Sequence, residues 1–306
     1  MRNVVVLAGS AFVLFVGSST WLALYPPVPA DLGGVASLDA RAEPVRIPVG
    51  AHDQLRGWYL PPRNGAVIAI LHGFGRDHER AWRYAGFLRT AGYGVLTFDF
   101  RSSRVASRLP TTLGHYEVDD ARAALAWLEA RPELAGARIG LLGESLGGSV
   151  SLIAGAGDAR VRALVVDCPF SNGVEALGDA CERWAHVPRW PSVAILRAVG
   201  RAATGCDPGS LDAVAASAAL RDRPVFFIHA LEDDRLAPRE AQALWRAAGA
   251  KDPLWLIRDA GHNEGWKRHR ALYESRVRRF FDRALRGRGP GLPAGDLAGD
   301  AIAAAR

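Results

Sequence analysis

Short apolar runs alternate with longer amphipathic stretches from residue 45 to residue 285. Short apolar runs bounded by turn residues are typical of buried strands. Eight runs fit this description, at residues 45–49, 55–60, 67–71, 95–100, 138–142, 163–167, 225–229 and 254–258. Stretches such as 115–130 and 239–248 have a helical period and separate the later runs. Strands connected through helices lie parallel, so the pattern predicts an α/β fold with an eight-stranded, mostly parallel sheet flanked by helices.

The spacing of the runs predicts two departures from this regular alternation. The first two runs follow each other without a helix, so we expect an antiparallel hairpin at the edge of the sheet. Residues 168–223, between the sixth and seventh runs, form a segment too long for a plain crossover. We therefore expect a small helical cap after the sixth strand, at about residues 170–222, within a folded domain that spans residues 45–286.

The composition is that of an ordinary globular protein, because 49% of the 306 residues are hydrophobic and 23% are charged. A pI near 9.6 and a net charge of +6 are compatible with nucleic-acid binding. The charges are mostly interleaved by sign, and neither zinc-finger spacing nor an aromatic RNA-binding motif is present, so no nucleic-acid partner is expected. Residues 266–288 contain nine Lys or Arg residues against two Asp or Glu residues, which predicts a local basic face near anionic lipid headgroups.

The two ends of the chain differ from its middle. Residues 4–25 contain no charged side chain and precede a Pro-rich run, and a helix of this length would just cross a membrane. We expect residues 1–30 to be an uncleaved membrane anchor with the rest of the protein extracytoplasmic; the alternative is a signal segment whose cleavage leaves a secreted or periplasmic protein. Residues 287–306 are rich in Gly, Ala and Pro without an apolar period and are expected to form a disordered tail.

The three cysteines limit the chemistry of the chain. They are too few for a disulfide scaffold and lack the spacing of metal ligands, so no metal is expected. Cys181 and Cys206 both lie in the expected cap, and an extracytoplasmic location would allow them to pair.

A candidate nucleophile follows the fifth predicted strand. Gly143-Glu144-Ser145-Leu146-Gly147 has the G-x-S-x-G pattern between an apolar strand and a helix-compatible stretch. In that context the serine lies on a sharp turn that exposes its hydroxyl. Acyl transfer also needs two N–H donors for the oxyanion, and the backbone amides of Leu146 and of Phe74, in the loop after the third strand, are the candidates.

A serine nucleophile needs a base, and the base needs an orienting carboxylate. Of the eight histidines, His262 follows the eighth strand and is expected on the same side of the sheet as Ser145. The acid should follow the seventh strand, where Glu232, Asp233 and Asp234 are consecutive and only one can orient the histidine. The resulting chain order, Ser then acid then His, is the one expected for this architecture.

These motifs resemble those of the α/β-hydrolase superfamily of serine hydrolases, in the branch of esterases, lipases and acylaminoacyl-peptidase-like enzymes. The stretches GYGVLTFDFRSSR, TTLGHYEVDDARAALAWL and VVDCPFS resemble segments of that family in the same order. The resemblance implies an H-G-x-x-D pattern that places the acid at Asp233, with Ala230 in place of the glycine, whereas the family's D-R-x-x-P spacing favours Asp234. The stretch FDFRSSRVASR departs from the usual R-G-x-G-x-S, which implies a reshaped rim of the site.

The sequence therefore predicts a serine hydrolase that cleaves a carboxylic ester, thioester or amide of a small molecule through an acyl-enzyme, without a cofactor. Trp184 and Trp190 in the cap are candidates to line an apolar acyl pocket. A serine peptidase or an acyltransferase would use the same residues. A non-catalytic binding protein on this fold is the alternative from another class, because a fold alone does not establish a function.

Overall fold

The computed structural model describes residues 41–51, 53–103 and 109–287, together with Ser18, Leu24 and Tyr25. Most of the expected N-terminal anchor or signal segment, and the tail beyond residue 287, lie outside the described residues, so both stay predictions. Within the described residues, no helix has the length and apolarity that crossing a membrane requires.

The described residues form one eight-stranded sheet, which confirms the predicted fold class. The strands are β1 Glu43–Val49, β2 Asp53–Leu60, β3 Ala66–Leu71, β4 Gly94–Phe98, β5 Arg138–Glu144, β6 Val161–Asp167, β7 Val225–Ala230 and β8 Trp255–Ile257. Their order across the sheet is β1-β2-β4-β3-β5-β6-β7-β8. β1 pairs antiparallel with β2, and β2 antiparallel with β4, while the other neighbours are parallel. The predicted edge hairpin and parallel body are thus both present.

The burial of each strand follows its position in the sheet. β1 is at the edge, and its residues alternate between exposed and buried over most of its length. β3 is central and buried at every position, as expected for a strand covered on both faces. Successive residues of β3 point to opposite faces, so Val67 and Ala69 join one apolar core and Ile68 and Ile70 the other.

Ten helices accompany the sheet in the described ranges: α1 His78–Trp82, α2 Ala85–Thr90, α3 His115–Glu129, α4 Leu146–Ala156, α5 Gly173–Asp179, α6 Arg189–Thr204, α7 Ala213–Ala219, α8 Pro238–Ala248, α9 Gly265–Arg268 and α10 Arg270–Arg286. Buried residues of α3, α4, α7 and α8 belong to one core, and those of α1, α2 and α10 to the other. The sheet is therefore a middle layer between two layers of helices.

A small cap follows β6, as predicted, and consists of α5, a π-helical turn at Ala180–Trp184, α6 and a short 3-10 turn at Pro208–Ser210. The cap is shorter than the expected 170–222, because α7 packs against α4 and α8 in the helical layer beside the sheet.

Several arginines of α10, in the basic segment that the charge count singles out, are engaged within the protein. Arg276 is buried, with its guanidinium 4.3 Å from the centre of the Trp255 ring. Arg283 pairs with Asp252, and other arginines of the helix also have partners within the protein. The prediction of a lipid-facing surface is wrong for Arg276, since a buried side chain cannot contact headgroups.

Candidate active site

The turn between β5 and α4 presents Ser145 in a strained conformation. Its φ is 54° and its ψ is −120°, a region that residues with a side chain rarely adopt. The turn is held because Ser145 N–H donates to the Asp167 carbonyl at 2.8 Å and the Ser145 carbonyl accepts from Gly148 N–H at 2.9 Å. Strain of this kind costs about 1–3 kcal/mol and persists only where the surrounding structure holds it.

The two glycines of the motif are needed because the turn brings backbone atoms into contact. A Cβ at Gly147 would lie 2.2 Å from the Leu71 carbonyl oxygen. A Cβ at Gly143 would lie 2.2 Å from the Gly147 carbonyl oxygen. Both distances are far inside van der Waals contact, so only glycine fits at either position.

His262 lies in the loop after β8, where it faces both Ser145 and Asp233. Its Nε2 is 2.9 Å from Ser145 Oγ, and its Nδ1 is 2.6 Å from Asp233 Oδ2. A carboxylate only accepts hydrogen bonds, so Nδ1 carries the proton and donates it to Asp233. Nε2 is then free of a proton and accepts the hydrogen bond from the Ser145 hydroxyl. The structure thus brings together the three residues that the sequence proposes as nucleophile, base and acid.

The Asp233 carboxylate is fully buried and has defined partners on both oxygens. Oδ1 accepts N–H bonds from Arg235 and Leu236, each at 2.8 Å, while Oδ2 accepts from His262. Burial alone would raise the pKa of Asp233, but the hydrogen bond and charge of His262 outweigh it and lower the pKa below its usual value. Asp233 is therefore ionised at neutral pH.

The two acids beside Asp233 point elsewhere. Asp234 and Glu232 are exposed and line an open cavity together with His262, and neither hydrogen-bonds to His262 in the described structure. The geometry therefore selects Asp233, rather than Asp234, as the carboxylate next to the imidazole.

The candidate oxyanion donors line a small cavity beside Ser145. Leu146 is the first residue of α4, where N–H groups have no acceptor within the helix, and Phe74 lies in the loop after β3. His72 shapes this loop: its Nε2 accepts from Phe100 N–H at 3.1 Å, so its Nδ1 donates to the Gly73 carbonyl at 2.8 Å. Both ring nitrogens of His72 are thus engaged in hydrogen bonds that hold the loop.

Two residues near the acid were not assigned a role there from the sequence. Arg183, in the π-helical turn of the cap, donates to the backbone carbonyl of Asp233. His229, at the end of β7, is fully buried, with its Nε2 3.1 Å from the Leu236 carbonyl oxygen and 3.5 Å from Asp233 Oδ2. The sequence signal for His229 is its position four residues before Asp233. No local pattern in the sequence indicates that Arg183 contacts Asp233.

One group in the described part of the chain has the composition of a metal site. Donor atoms of Cys168, His229 and Asp233 lie within 4.8 Å of one another, and all three residues are buried. Asp233 is already bound by His262 and two backbone amides, and His229 Nε2 by the Leu236 carbonyl. These contacts form a hydrogen-bonded support for the acid and not a set of free metal ligands.

The remaining cysteines and the cap tryptophans lie outside this arrangement. Cys181 and Cys206 are both free thiols. Trp184 is 56% exposed and Trp190 is 81% exposed, and neither lines the cavity beside Ser145. The expectation that these tryptophans line an acyl pocket is wrong, because the cap turns them toward solvent.

A sequence match adds to the geometry of the serine, the histidine and the sheet. Residues 68–283 match the profile of the Alpha/beta hydrolase family, which covers more than half of the chain. The chain belongs to this family. Its relatives include the protein YqkD of Bacillus subtilis (strain 168), which is 24% identical over 245 residues, a match covering 77% of this chain and 78% of YqkD.

Two solved structures share the fold of this chain. The Pyrococcus furiosus esterase Pf2001 superposes with a TM-score of 0.69 at 23% identity, over 85% of this chain and 97% of the esterase. The Pyrococcus horikoshii acylaminoacyl peptidase superposes with a TM-score of 0.63 at 18% identity, over 84% of this chain and 44% of the peptidase. At these identities, both likenesses show a shared fold.

Proposed function

We propose that this α/β hydrolase is a serine hydrolase that cleaves a carboxylic ester, or a related thioester or amide, through an acyl-enzyme intermediate. The observation that carries the proposal is the continuous hydrogen-bonded chain from Ser145 Oγ through His262 to Asp233, at 2.9 and 2.6 Å. Such a chain activates a serine, because the imidazole accepts its proton and the carboxylate stabilises the imidazolium that forms.

In the first half of the reaction, Ser145 Oγ attacks the substrate carbonyl carbon while its proton moves to His262 Nε2. The carbonyl oxygen becomes an oxyanion, and the N–H groups of Leu146 and Phe74, two residues that line the neighbouring cavity, are the proposed donors to it. His262 Nε2 then gives its proton to the leaving group as the bond to the carbonyl carbon breaks. The products of this half are the free alcohol, thiol or amine and an acyl group on Ser145.

In the second half, water attacks the acyl group and His262 Nε2 takes a proton from it. The bond to Ser145 Oγ breaks, Ser145 recovers its proton from His262, and the carboxylic acid leaves. Asp233 stays ionised throughout, since the hydrogen bond and charge of His262, together with the Leu236 N–H, lower its pKa against the effect of burial.

The esterase and peptidase neighbours share one fold, so the activated serine is tested first and the type of bond cleaved second. A fluorophosphonate probe phosphonylates an activated serine of a serine hydrolase, with loss of fluoride, and this reaction does not depend on the natural substrate. We expect labelling of the wild-type protein at Ser145 and none in Ser145→Ala. The absence of labelling in folded wild-type protein would contradict catalysis and favour a binding role.

Relative rates on matched p-nitrophenyl esters and aminoacyl anilides would then separate ester from amide hydrolysis. We expect the esters to be cleaved faster. An anilide that is cleaved as fast as the matched ester would indicate a peptidase.

A further inference from the structure

The cap exposes two large aromatic side chains, Trp184 and Trp190, to solvent. Each of them is more than half exposed. Together with Leu272, they are the exposed large hydrophobic residues among those that the structure describes. A single exposed apolar residue is common on a soluble protein, whereas a group of them on one surface marks an interaction site. The surroundings of the two tryptophans therefore decide whether they form such a site.

The stretch between the two tryptophans adds no exposed acid, lysine or arginine to this surface. Its exposed residues are Ala185, His186 and Pro188. Arg189 is half-buried, and its guanidinium pairs with Glu175 of α5 at 2.6 Å. The one arginine of the stretch is thus engaged within the cap.

The outer side of α6 continues the apolar surface. Every residue of α6 is described, and the exposed ones are Trp190, Ala194, Ala198, Arg201, Ala202 and Ala203. A helix that faces water normally carries charged groups on its outer side. The fully described helix α3 follows this rule, since its exposed residues are Asp119, Arg122, Ala126 and Glu129. We call residues 184–190 and the exposed residues of α6 the cap face.

The cap face begins beside the candidate active site. Arg183, which precedes Trp184, donates to the backbone carbonyl of Asp233. The guanidinium carbon of Arg235 lies 5.6 Å from the centre of the Trp184 ring. Arg235 in turn lines the open cavity next to His262. Whatever covers the cap face therefore also lies close to this open cavity.

The charge-free segment of residues 4–25 is attached to the folded domain near the same site. Leu24, at the end of this segment, is buried, and its backbone carbonyl accepts from the Thr111 N–H at 2.9 Å. Thr111 lines the small cavity together with Leu146, the residue after the nucleophile. The segment predicted to be a membrane anchor thus joins the domain beside the site.

The cap face and the attachment of Leu24 lie at the same edge of the sheet. α5 follows the carboxyl end of β6, and α3 follows that of β4, two strands of the parallel body. The carboxyl ends of parallel strands meet at one edge. α6 contacts both helices, because Arg189 pairs with Glu175 of α5 and the Tyr116 hydroxyl of α3 donates to the Thr204 carbonyl at 3.2 Å. Tyr116 lies shortly after Thr111 in the chain.

We propose that the cap face rests on a lipid bilayer and that the site of Ser145 opens at the bilayer surface. An indole is apolar over most of its surface and carries one N–H donor, so tryptophans concentrate at the boundary between lipid and water. The charge-free segment is long enough to cross a bilayer, and it would enter the bilayer from the edge of the sheet that carries the cap face. Glu182 and Arg201 are exposed at the ends of the cap face, where their charges stay in water.

Brominated lipids test this docking, because bromine on an acyl chain quenches the fluorescence of indoles that reach the bilayer. The full chain is placed in phosphatidylcholine vesicles with and without bromine, and the fractional loss of tryptophan fluorescence is measured. All proteins carry Trp21→Phe, since Trp21 lies in the charge-free segment and would be quenched whether or not the cap docks. We expect the double substitution Trp184→Phe and Trp190→Phe to remove most of the quenching.

The matched control is the double substitution Trp127→Phe and Trp245→Phe. Both tryptophans are half-buried and lie near the C-terminal ends of α3 and α8, where the chain returns to the amino ends of β5 and β8. The fractional quenching should stay equal or rise in this control, because indoles that lipid does not reach no longer contribute to the signal. An equal loss of quenching in the two double variants would overturn the proposal.

Quenching that is unchanged by the loss of Trp184 and Trp190, or absent from the start, would also overturn it. Iodide in the aqueous phase and the size of the protein in detergent then identify the alternative. Quenching of the two tryptophans by iodide would indicate a bare surface. Protection from iodide would indicate a second copy of the chain if the protein is a dimer, and coverage by residues 4–25 if it is a monomer.

The docking goes beyond the proposed function and is tested separately from it. Fluorophosphonate labelling of Ser145 in both double variants checks that their sites are intact. Bromine quenching that depends on Trp184 and Trp190, in a wild-type protein that the probe does not label, would overturn the proposed function and leave the docking standing. Labelling of the wild type without such quenching would do the opposite.

Discussion

Replacing Asp233 with asparagine separates the two carboxylates that the sequence leaves as candidates. The amide would keep its oxygen toward the N–H groups of Arg235 and Leu236, which both donate to Asp233 Oδ1 at 2.8 Å. The opposite orientation would place the amide NH₂ against two donors. The amide nitrogen therefore faces His262 Nδ1, where a carboxylate oxygen now accepts a proton at 2.6 Å.

This orientation reverses the protonation of the imidazole. Nδ1 must accept from the amide, so the proton moves to Nε2, which can no longer accept from Ser145 Oγ. The loss of one charge-assisted hydrogen bond, about 1.5–3 kcal/mol, would alone lower the rate about tenfold to a hundredfold. The misplaced proton adds to this, and in a serine triad the same substitution lowers kcat about 10⁴-fold.

We therefore expect Asp233→Asn to lower kcat/KM on p-nitrophenyl acetate by about 10³- to 10⁴-fold. Asp234→Asn is the matched control and should change it less than about twofold, because Asp234 is exposed and does not bond to His262 in the described structure. Circular dichroism checks that both variants are folded. Near-normal activity in Asp233→Asn with a large loss in Asp234→Asn would refute the assignment of the acid.

Three further substitutions test the support around the site. Gly147→Ala should lower the free energy of unfolding by about 2–4 kcal/mol in urea titrations, whereas Gly157→Ala, where the nearest atom is 3.7 Å away, should be tolerated. Arg183→Ala should lower kcat/KM about tenfold by releasing the Asp233 carbonyl, and an unchanged rate would contradict that role. Burial raises the pKa of Asp167 to about 6. Between about pH 4 and 6, the folded state therefore holds a proton that the unfolded state has lost, and the free energy of unfolding of the wild type falls as the pH rises. The free energy of unfolding of Asp167→Asn, relative to that of the wild type, should therefore rise by about 2–3 kcal/mol across that range. A difference between the two proteins that stays constant with pH would contradict the raised pKa of Asp167.

The layers of the fold could be predicted from the sequence because burial on both faces requires continuous apolar runs. Each predicted strand overlaps an observed one, although β4 ends at Phe98 rather than at residue 100. The extent of the cap could not be predicted, since helical composition does not distinguish α7, which packs beside the sheet, from the cap helices. Side-chain exposure could not be predicted either, because the sequence around a tryptophan such as Trp190 does not show whether its side chain is buried or faces solvent.

The site was predictable where a local motif imposes geometry and was ambiguous elsewhere. Ser145 follows from its glycines and its preceding strand, and His262 from the end of the last strand. Asp233 and Asp234 are adjacent, and only the loop conformation decides which one is buried. Arg183 reaches Asp233 from a distant part of the chain, and no spacing rule anticipates such a contact.

The central claim is that Ser145 carries the acyl group during turnover, and trapping that intermediate tests it directly. The protein is mixed with p-nitrophenyl acetate, quenched in acid and digested, and the peptide containing Ser145 is examined by mass spectrometry. We expect a peptide heavier by one acetyl group, with the modification on Ser145, and no such peptide in Ser145→Ala. Ester hydrolysis by the wild type without acetylation of Ser145, or undiminished hydrolysis by Ser145→Ala, would contradict it.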